Sequence, residues 1–105
     1  FDKQISLAKK CGLSNSQIII DPGLGFGKKV DDNFLLINNI DKFKRFNVPL
    51  MIGLSRKSFL GDLEPNQKLI NTLIANTYAC TKGVDLLRVH DVEEHLTLKD
   101  MLAKF

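Results

Sequence analysis

Three short apolar runs in this sequence each end abruptly in side chains that can do chemistry. Ile18-Ile19-Ile20 gives way to Asp21-Pro22-Gly23, Leu50–Leu54 to Ser55-Arg56-Lys57, and Leu86-Leu87 to Arg88-Val89-His90. A carboxylate such as Asp21 matches the N–H/NH2 edge of an amino-substituted heterocycle. Lys57 supplies a point charge for a ligand carbonyl or phosphate, and Ser55 can hold a carboxylate or phosphate oxygen. Arg88 and His90, two apart on a strand, share one face, with Val89 turned away into packing. An arginine in a strand is costly to bury unless it meets an anion or stacks on a flat ring. Together these groups describe a cationic site with one acid, suited to a polar heterocycle that carries phosphate.

Each group also has a plainer role open to it. Asp21 can cap its own Pro-Gly turn, and Ser55-Arg56-Lys57 can be a solvated basic turn. Arg88 can form an internal salt bridge to an acid such as Asp21. His95 is expected to be a surface residue of the last helix. The glycines between Asp21 and Lys28 have neither the G-x-G-x-x-G spacing of a dinucleotide site nor the Gly-Lys-Ser/Thr ending of a P-loop.

The elements that position these residues alternate. Residues 2–12 pattern as the end of a helix, with Ile5 and Ala8 on one side and Gly12 as its stop. Ser14-Asn15-Ser16 then turns into a strand, Gln17–Asp21. A second helix of about twelve residues is expected to be capped by Asp31 or Asp32, with Leu36, Ile37, Ile40 and Phe43 on its apolar face. Phe46-Asn47-Val48-Pro49 breaks it before the strand Leu50–Leu54. A loop around Gly61–Pro65 leads to a third helix over 66–82, stopped by Gly83. The strand Leu86–His90 and a last helix from Glu93 to the end complete an αβαβαβα order.

Continuous apolar strands of this kind are expected to be parallel and buried on both faces. Three parallel strands alone leave two unpaired edges. The fold class expected is therefore α/β: the carboxyl-terminal portion, about the last three βα units, of a (β/α)8 TIM barrel, a fold of roughly 250 residues when whole.

Composition bounds the function. The 105 residues make one domain at most, or part of one, and a 44% hydrophobic, 26% charged composition is that of a globular protein. A net charge of +3 suits a small anionic ligand, and without dense basic runs no nucleic-acid partner is expected. No membrane partner is expected either, since no apolar run approaches the roughly 18 to 20 residues of a bilayer span. Cys11 and Cys80 have no metal-ligand spacing, and a reduced, buried Cys80 points to the cytoplasm. The chain opens on Phe1, so its native start is expected to lie upstream.

Asp21-Pro22-Gly23-x-Gly25-Phe26-Gly27-Lys28, Gly53-Leu54-Ser55-Arg56-Lys57-Ser58-Phe59 and Arg88-Val89-His90-Asp91-Val92, in that order and spacing, resemble bacterial dihydropteroate synthases. The three motifs span the chain almost end to end and match the carboxyl-terminal part of that family. The resemblance implies an enzyme that joins p-aminobenzoate to a dihydropterin pyrophosphate in folate synthesis, releases pyrophosphate, and is the target of sulfonamides. It implies that Asp21 holds the pterin's amino-pyrimidine edge and that Lys57 binds the pterin and shapes the p-aminobenzoate pocket. Arg88 would stack on the pterin and, with His90, bind the leaving pyrophosphate. Lys57, Arg88 and His90 are thus the expected catalytic residues, acting by positioning and leaving-group stabilisation. Phe26 and Ser55 would border the p-aminobenzoate site, and Gly53 would let the pterin approach the backbone.

The resemblance further implies magnesium, held by an asparagine outside these residues, and a homodimer formed by the last helices. Further pterin ligands and two mobile loops have no counterpart here, so the chain alone is expected to be inactive. Lys68 and Asn71-Thr72 stand where the family usually has Arg and Gly-Ser or Gly-Thr. Two rivals remain: a methyltetrahydrofolate-dependent pterin-binding methyltransferase, and a non-catalytic α/β module that binds a phosphorylated ligand or a partner chain.

Overall fold

Three extended segments lie side by side and parallel in the computed structural model, which describes residues 1–25, 29–55, 57, 61 and 64–105. Strand β1 (Met51–Ile52) is central. It pairs with β2 (Leu86–Leu87) in the register Met51↔Leu86 and Ile52↔Leu87. On its other side Ile20 forms a parallel bridge to Leu50, with the Met51 amide donating to the Ile20 carbonyl at 2.8 Å.

The parallel direction and the neighbour order are as expected, but the extended pairing is much shorter. The segment expected to begin a strand at Gln17 is instead a 3-10 turn (Asn15–Gln17), closed by the Ser14 amide donating to Gln17 Oε1 at 3.0 Å. The middle segment comes nearest to burial on both faces: Leu50, Ile52 and Leu54 on one side and Gly53 on the other are buried, and Met51 is half-buried. Such burial fails at the edges, where Ile19 is 55% and Leu86 39% exposed because no further strand or helix covers them among the described residues.

The helices differ from expectation mainly at their ends. Helix α1 (Asp2–Lys10) precedes Gly12. Helix α2 (Val30–Asn38) has Lys29, not Asp31 or Asp32, at its N-cap; both acids lie in the first turn, where they meet the positive end of the helix dipole. The long second helix divides: Ile40–Phe46 is a 3-10 helix, ended by Asn47 in the left-handed region at φ 55°. Ile40 and Phe43 nonetheless reach the core. Helix α3 (Pro65–Thr81) opens on a proline, whose missing N–H costs nothing in a first turn. Helix α4 (Val92–Leu102) begins one residue earlier than expected. Ile5, Ile37, Ile40 and Ala79 from the helical layer pack on Ile18, Ile20, Leu50, Ile52 and Leu54.

His95 corrects the sequence reading. It is buried, not on the surface, and ties α4 to α3: Asn76 Nδ2 lies 2.8 Å from its Nε2, and its Nδ1 lies 2.7 Å from the Asp91 carbonyl oxygen. An imidazole with both nitrogens satisfied is a tolerable core residue, which its polar sequence neighbours conceal. Cys80 is free and half-buried, and burial pushes its thiol pKa up; Cys11 is free and exposed.

At the amino-terminal end of the strands Asp85 acts as a clamp. Its carboxylate accepts from the Leu50 amide at 2.9 Å and from Lys44 Nζ at 3.1 Å, and Lys44 also donates to the Gly83 carbonyl at 2.9 Å. The Leu50 hydrogen bond, and then Lys44, hold the Asp85 carboxyl below its usual pKa against an opposing desolvation effect. A depressed folded-state pKa contributes stability above the unfolded value, about 3.9, and loses it as pH falls through the folded value. The expected result is that Asp85→Asn lowers the urea midpoint at neutral pH, and that the gap from wild type closes below about pH 4.

Candidate functional site

The carboxyl ends of the three extended segments face the same way, so the three polar clusters meet at one end of the sheet. Asp21 directly follows the bridge residue Ile20. One of its oxygens, Oδ1, accepts from the Gly23 amide at 2.8 Å, so it does cap its own turn. A carboxylate has about four acceptor sites, and this one bond leaves room for a ligand's donors.

The loop after Asp21 is held from two sides. Lys57, half-buried, donates from Nζ to the Leu24 carbonyl at 2.7 Å. Its stem passes so close to Gly25 that a Cβ there would come 2.8 Å from Lys57 Cδ, and Gly25 has φ +85°. Glycine is required on both counts. From the other side Asn33 Oδ1 accepts from the Gly25 amide at 2.7 Å, while its Nδ2 donates to the Lys29 carbonyl at 3.0 Å. Asn33 is fully buried at the start of α2 and ties Gly25 to Lys29. Sequence reasoning missed it. The available signal was an amide on the core side of a helix, three residues before Leu36.

The second and third clusters interlock. The register that pairs Ile52 with Leu87 sets Gly53 beside Arg88, and the Arg88 amide donates to the Ile52 carbonyl at 2.9 Å. The guanidinium lies across the glycine: a Cβ on Gly53 would stand 2.5 Å from Nη2 and 3.0 Å from Cζ. In this structure Arg88 therefore occupies the space over Gly53 that was expected to admit a pterin. Arg88 is exposed, with β2 paired on one side only among the described residues. Among the described residues no ion pair joins Arg88 to Asp21; the pair present there is Lys44–Asp85.

Ser55 is buried and its Oγ meets His90 twice, at the backbone amide (3.2 Å) and at Nδ1 (3.1 Å). Asp21, Gly53, Ser55, Lys57, Arg88 and His90 thus belong to one strand-end surface. Phe26, and with it Lys28, Arg56, Ser58 and Phe59 of the motifs, lies outside the described residues. The surface presents two cations and one acid, an arrangement that can bind a phosphorylated heterocycle. Among the described residues no three His, Cys, Asp or Glu side chains cluster as metal ligands.

Comparison with known proteins gives this surface a context. The model of the pterin binding enzyme family matches residues 1–90. The chain is 37% identical over 97 residues to the dihydropteroate synthase of Escherichia coli, an alignment covering 90% of this chain and 34% of that protein. It superposes on the dihydropteroate synthase of Clostridium difficile, solved in the presence of pteroic acid, with TM-score 0.89 and 36% identity, covering 96% of this chain and 40% of that one. For the Xanthomonas albilineans dihydropteroate synthase solved with 4-aminobenzoic acid the TM-score is 0.86 at 32% identity, over 99% of this chain and 41% of that one. The chain therefore spans about a third of the length of the curated relative. These neighbours are (β/α)8 barrels, and the three parallel segments with their helices are part of such a barrel.

Proposed function

Because the chain belongs to the pterin binding enzyme family, we propose that it supplies one part of a dihydropteroate synthase active site. The reaction is the condensation of p-aminobenzoate with 6-hydroxymethyl-7,8-dihydropterin pyrophosphate to dihydropteroate and pyrophosphate. The observation that carries this reading is the convergence of Asp21, Lys57 and Arg88 at the carboxyl ends of neighbouring parallel segments, where barrel enzymes keep their chemistry.

In this proposal Asp21 accepts hydrogen bonds from the pterin's amino-pyrimidine edge with the capacity its turn leaves over. Lys57 binds the pterin and borders the p-aminobenzoate pocket, as does Phe26. Arg88 swings from its place over Gly53 to stack on the ring, a movement its exposed side chain permits. Arg88 and His90 then meet the pyrophosphate. Its departure leaves a cation-like methylene carbon for attack by the amine of p-aminobenzoate. The protein contributes alignment and stabilisation of the leaving charge, with no covalent nucleophile.

Magnesium demands a shell of oxygen ligands, and the cationic Lys57 and Arg88 do not provide one. The ion belongs in this proposal with residues beyond those present, and no step is assigned to it. Sulfonamides, as mimics of p-aminobenzoate, would occupy the Lys57 side of the site. The compartment that fits two free thiols is the cytoplasm, and among the described residues no helix is long and apolar enough to cross a membrane.

Isothermal titration with dihydropterin pyrophosphate and magnesium tests the reading against a non-catalytic module. Saturable binding by the complete barrel, lost in Asp21→Ala, supports it; no heat with the pterin pyrophosphate would favour the module. The last helices are the proposed homodimer contact. Ile70, Ile74 and Tyr78 on α3 and Leu96 and Met101 on α4 are exposed large apolar side chains, and such surfaces associate. Sedimentation at tens of micromolar is expected to show a dimer or larger species; a clean monomer contradicts the contact.

A further inference from the structure

We propose that Ser55 is a positioning residue that holds the His90 imidazole in the tautomer with its proton on Nε2. This rests on the reading of His90 as a ligand of the pyrophosphate. The His90 backbone amide can only donate, so at 3.2 Å the Ser55 oxygen is its acceptor. The hydroxyl has a single proton, and its other contact is His90 Nδ1 at 3.1 Å. If that proton goes to Nδ1, both contacts are satisfied, Nδ1 is an acceptor, and the ring's own proton sits on Nε2. If Nδ1 were protonated, Oγ would accept twice and its O–H, in a residue only 5% exposed, would have no further partner among the described residues.

The consequence is chemical. An imidazole of this tautomer offers Nε2–H to an anionic oxygen and has no lone pair there to take up a proton. His90 is then a hydrogen-bond donor to the leaving group and not a general base. Ser55, whose hydroxyl is engaged, acts through His90 and not on p-aminobenzoate.

His95 provides an internal contrast. Its Nδ1 lies 2.7 Å from the Asp91 carbonyl oxygen, which can only accept, so Nδ1 carries a proton whichever way the Asn76 amide is turned. The two histidines of this chain are therefore assigned opposite protonation at Nδ1.

Long-range 1H–15N correlation spectra of histidine-labelled protein at mildly alkaline pH test this directly. The expected pattern is a protonated Nε2 and a bare Nδ1 for His90, with Nδ1 protonated in His95. Ser55→Ala should move His90 toward the averaged pattern of an untethered ring, and Ser55→Thr, which keeps the hydroxyl, should restore it. A protonated Nδ1 on wild-type His90, or a Ser55→Ala spectrum unchanged at that ring, overturns the proposal. The wild-type spectrum decides even if a variant fails to fold. Inorganic pyrophosphate is the functional probe: in the complete barrel Ser55→Ala should weaken its binding about two- to tenfold, with Thr restoring it. Should His90→Ala bind pyrophosphate as wild type does while the tautomer pattern stands, the failure lies in the function assigned to His90 and the Ser55 tether is upheld.

Discussion

The 105 residues by themselves are expected to form no measurable dihydropteroate, although they carry Asp21, Lys57, Arg88 and His90. Condensation requires two substrates held in line, and such positioning accounts for roughly 7 to 11 kcal/mol of barrier lowering. In the proposed function the strand-end surface supplies one side of that alignment. Arg88 and His90 are exposed, and charges open to water are screened in a way that those of an enclosed site are not. Weak, salt-sensitive pyrophosphate binding is the activity these groups can sustain alone. The assay is pyrophosphate release from the pterin substrate with and without p-aminobenzoate. Turnover within about tenfold of a complete enzyme, a gap of only about 1.4 kcal/mol, would show that this part of the barrel is a catalyst in its own right.

In the complete barrel, Lys57→Ala and Arg88→Ala are expected to lower kcat/KM by roughly thirtyfold to a thousandfold. That corresponds to about 2 to 4 kcal/mol of transition-state binding for a lost charged hydrogen bond. Lys57→Ala carries an additional consequence, because its ammonium also pins the Leu24 carbonyl and its stem supports Gly25; the loop after Asp21 loosens with it. Gly53→Ala belongs to the same series. Its Cβ would stand 2.5 Å from Arg88 Nη2, and since the obstacle is the far end of a flexible side chain, the fold survives while Arg88 is displaced. The control is Lys29→Ala, an exposed lysine at the start of α2, which should change kcat/KM less than about threefold, in line with its remove from the strand ends. Equal small effects in all four variants would overturn the assignment of the site.

Much of this protein is legible in its sequence because the relevant physics is local. An apolar run followed at once by charged residues marks the end of a buried strand, and three such runs separated by helical patterns imply parallel strands with their polar ends together. The family motifs lie at those ends, so the candidate site residues follow from position along the chain. Gly12, Asn47 and Pro65 mark helix boundaries for reasons contained in their own backbones.

Tertiary structure decided the rest, because those outcomes depend on which segments become neighbours. Only the pairing of β1 with β2 sets Gly53 beside Arg88 and brings Ser55 to His90 across 35 residues of sequence. Only the packing of the loop after Asp21 turns Lys57 toward the Leu24 carbonyl 33 residues away. His95 has the sequence context of a surface residue and becomes a core residue because α3 presents Asn76 to it. Asn33, an unremarked amide in the sequence, becomes the tie between Gly25 and Lys29. A run of isoleucine or leucine states that a strand wants cover, and the surrounding elements determine which faces receive it.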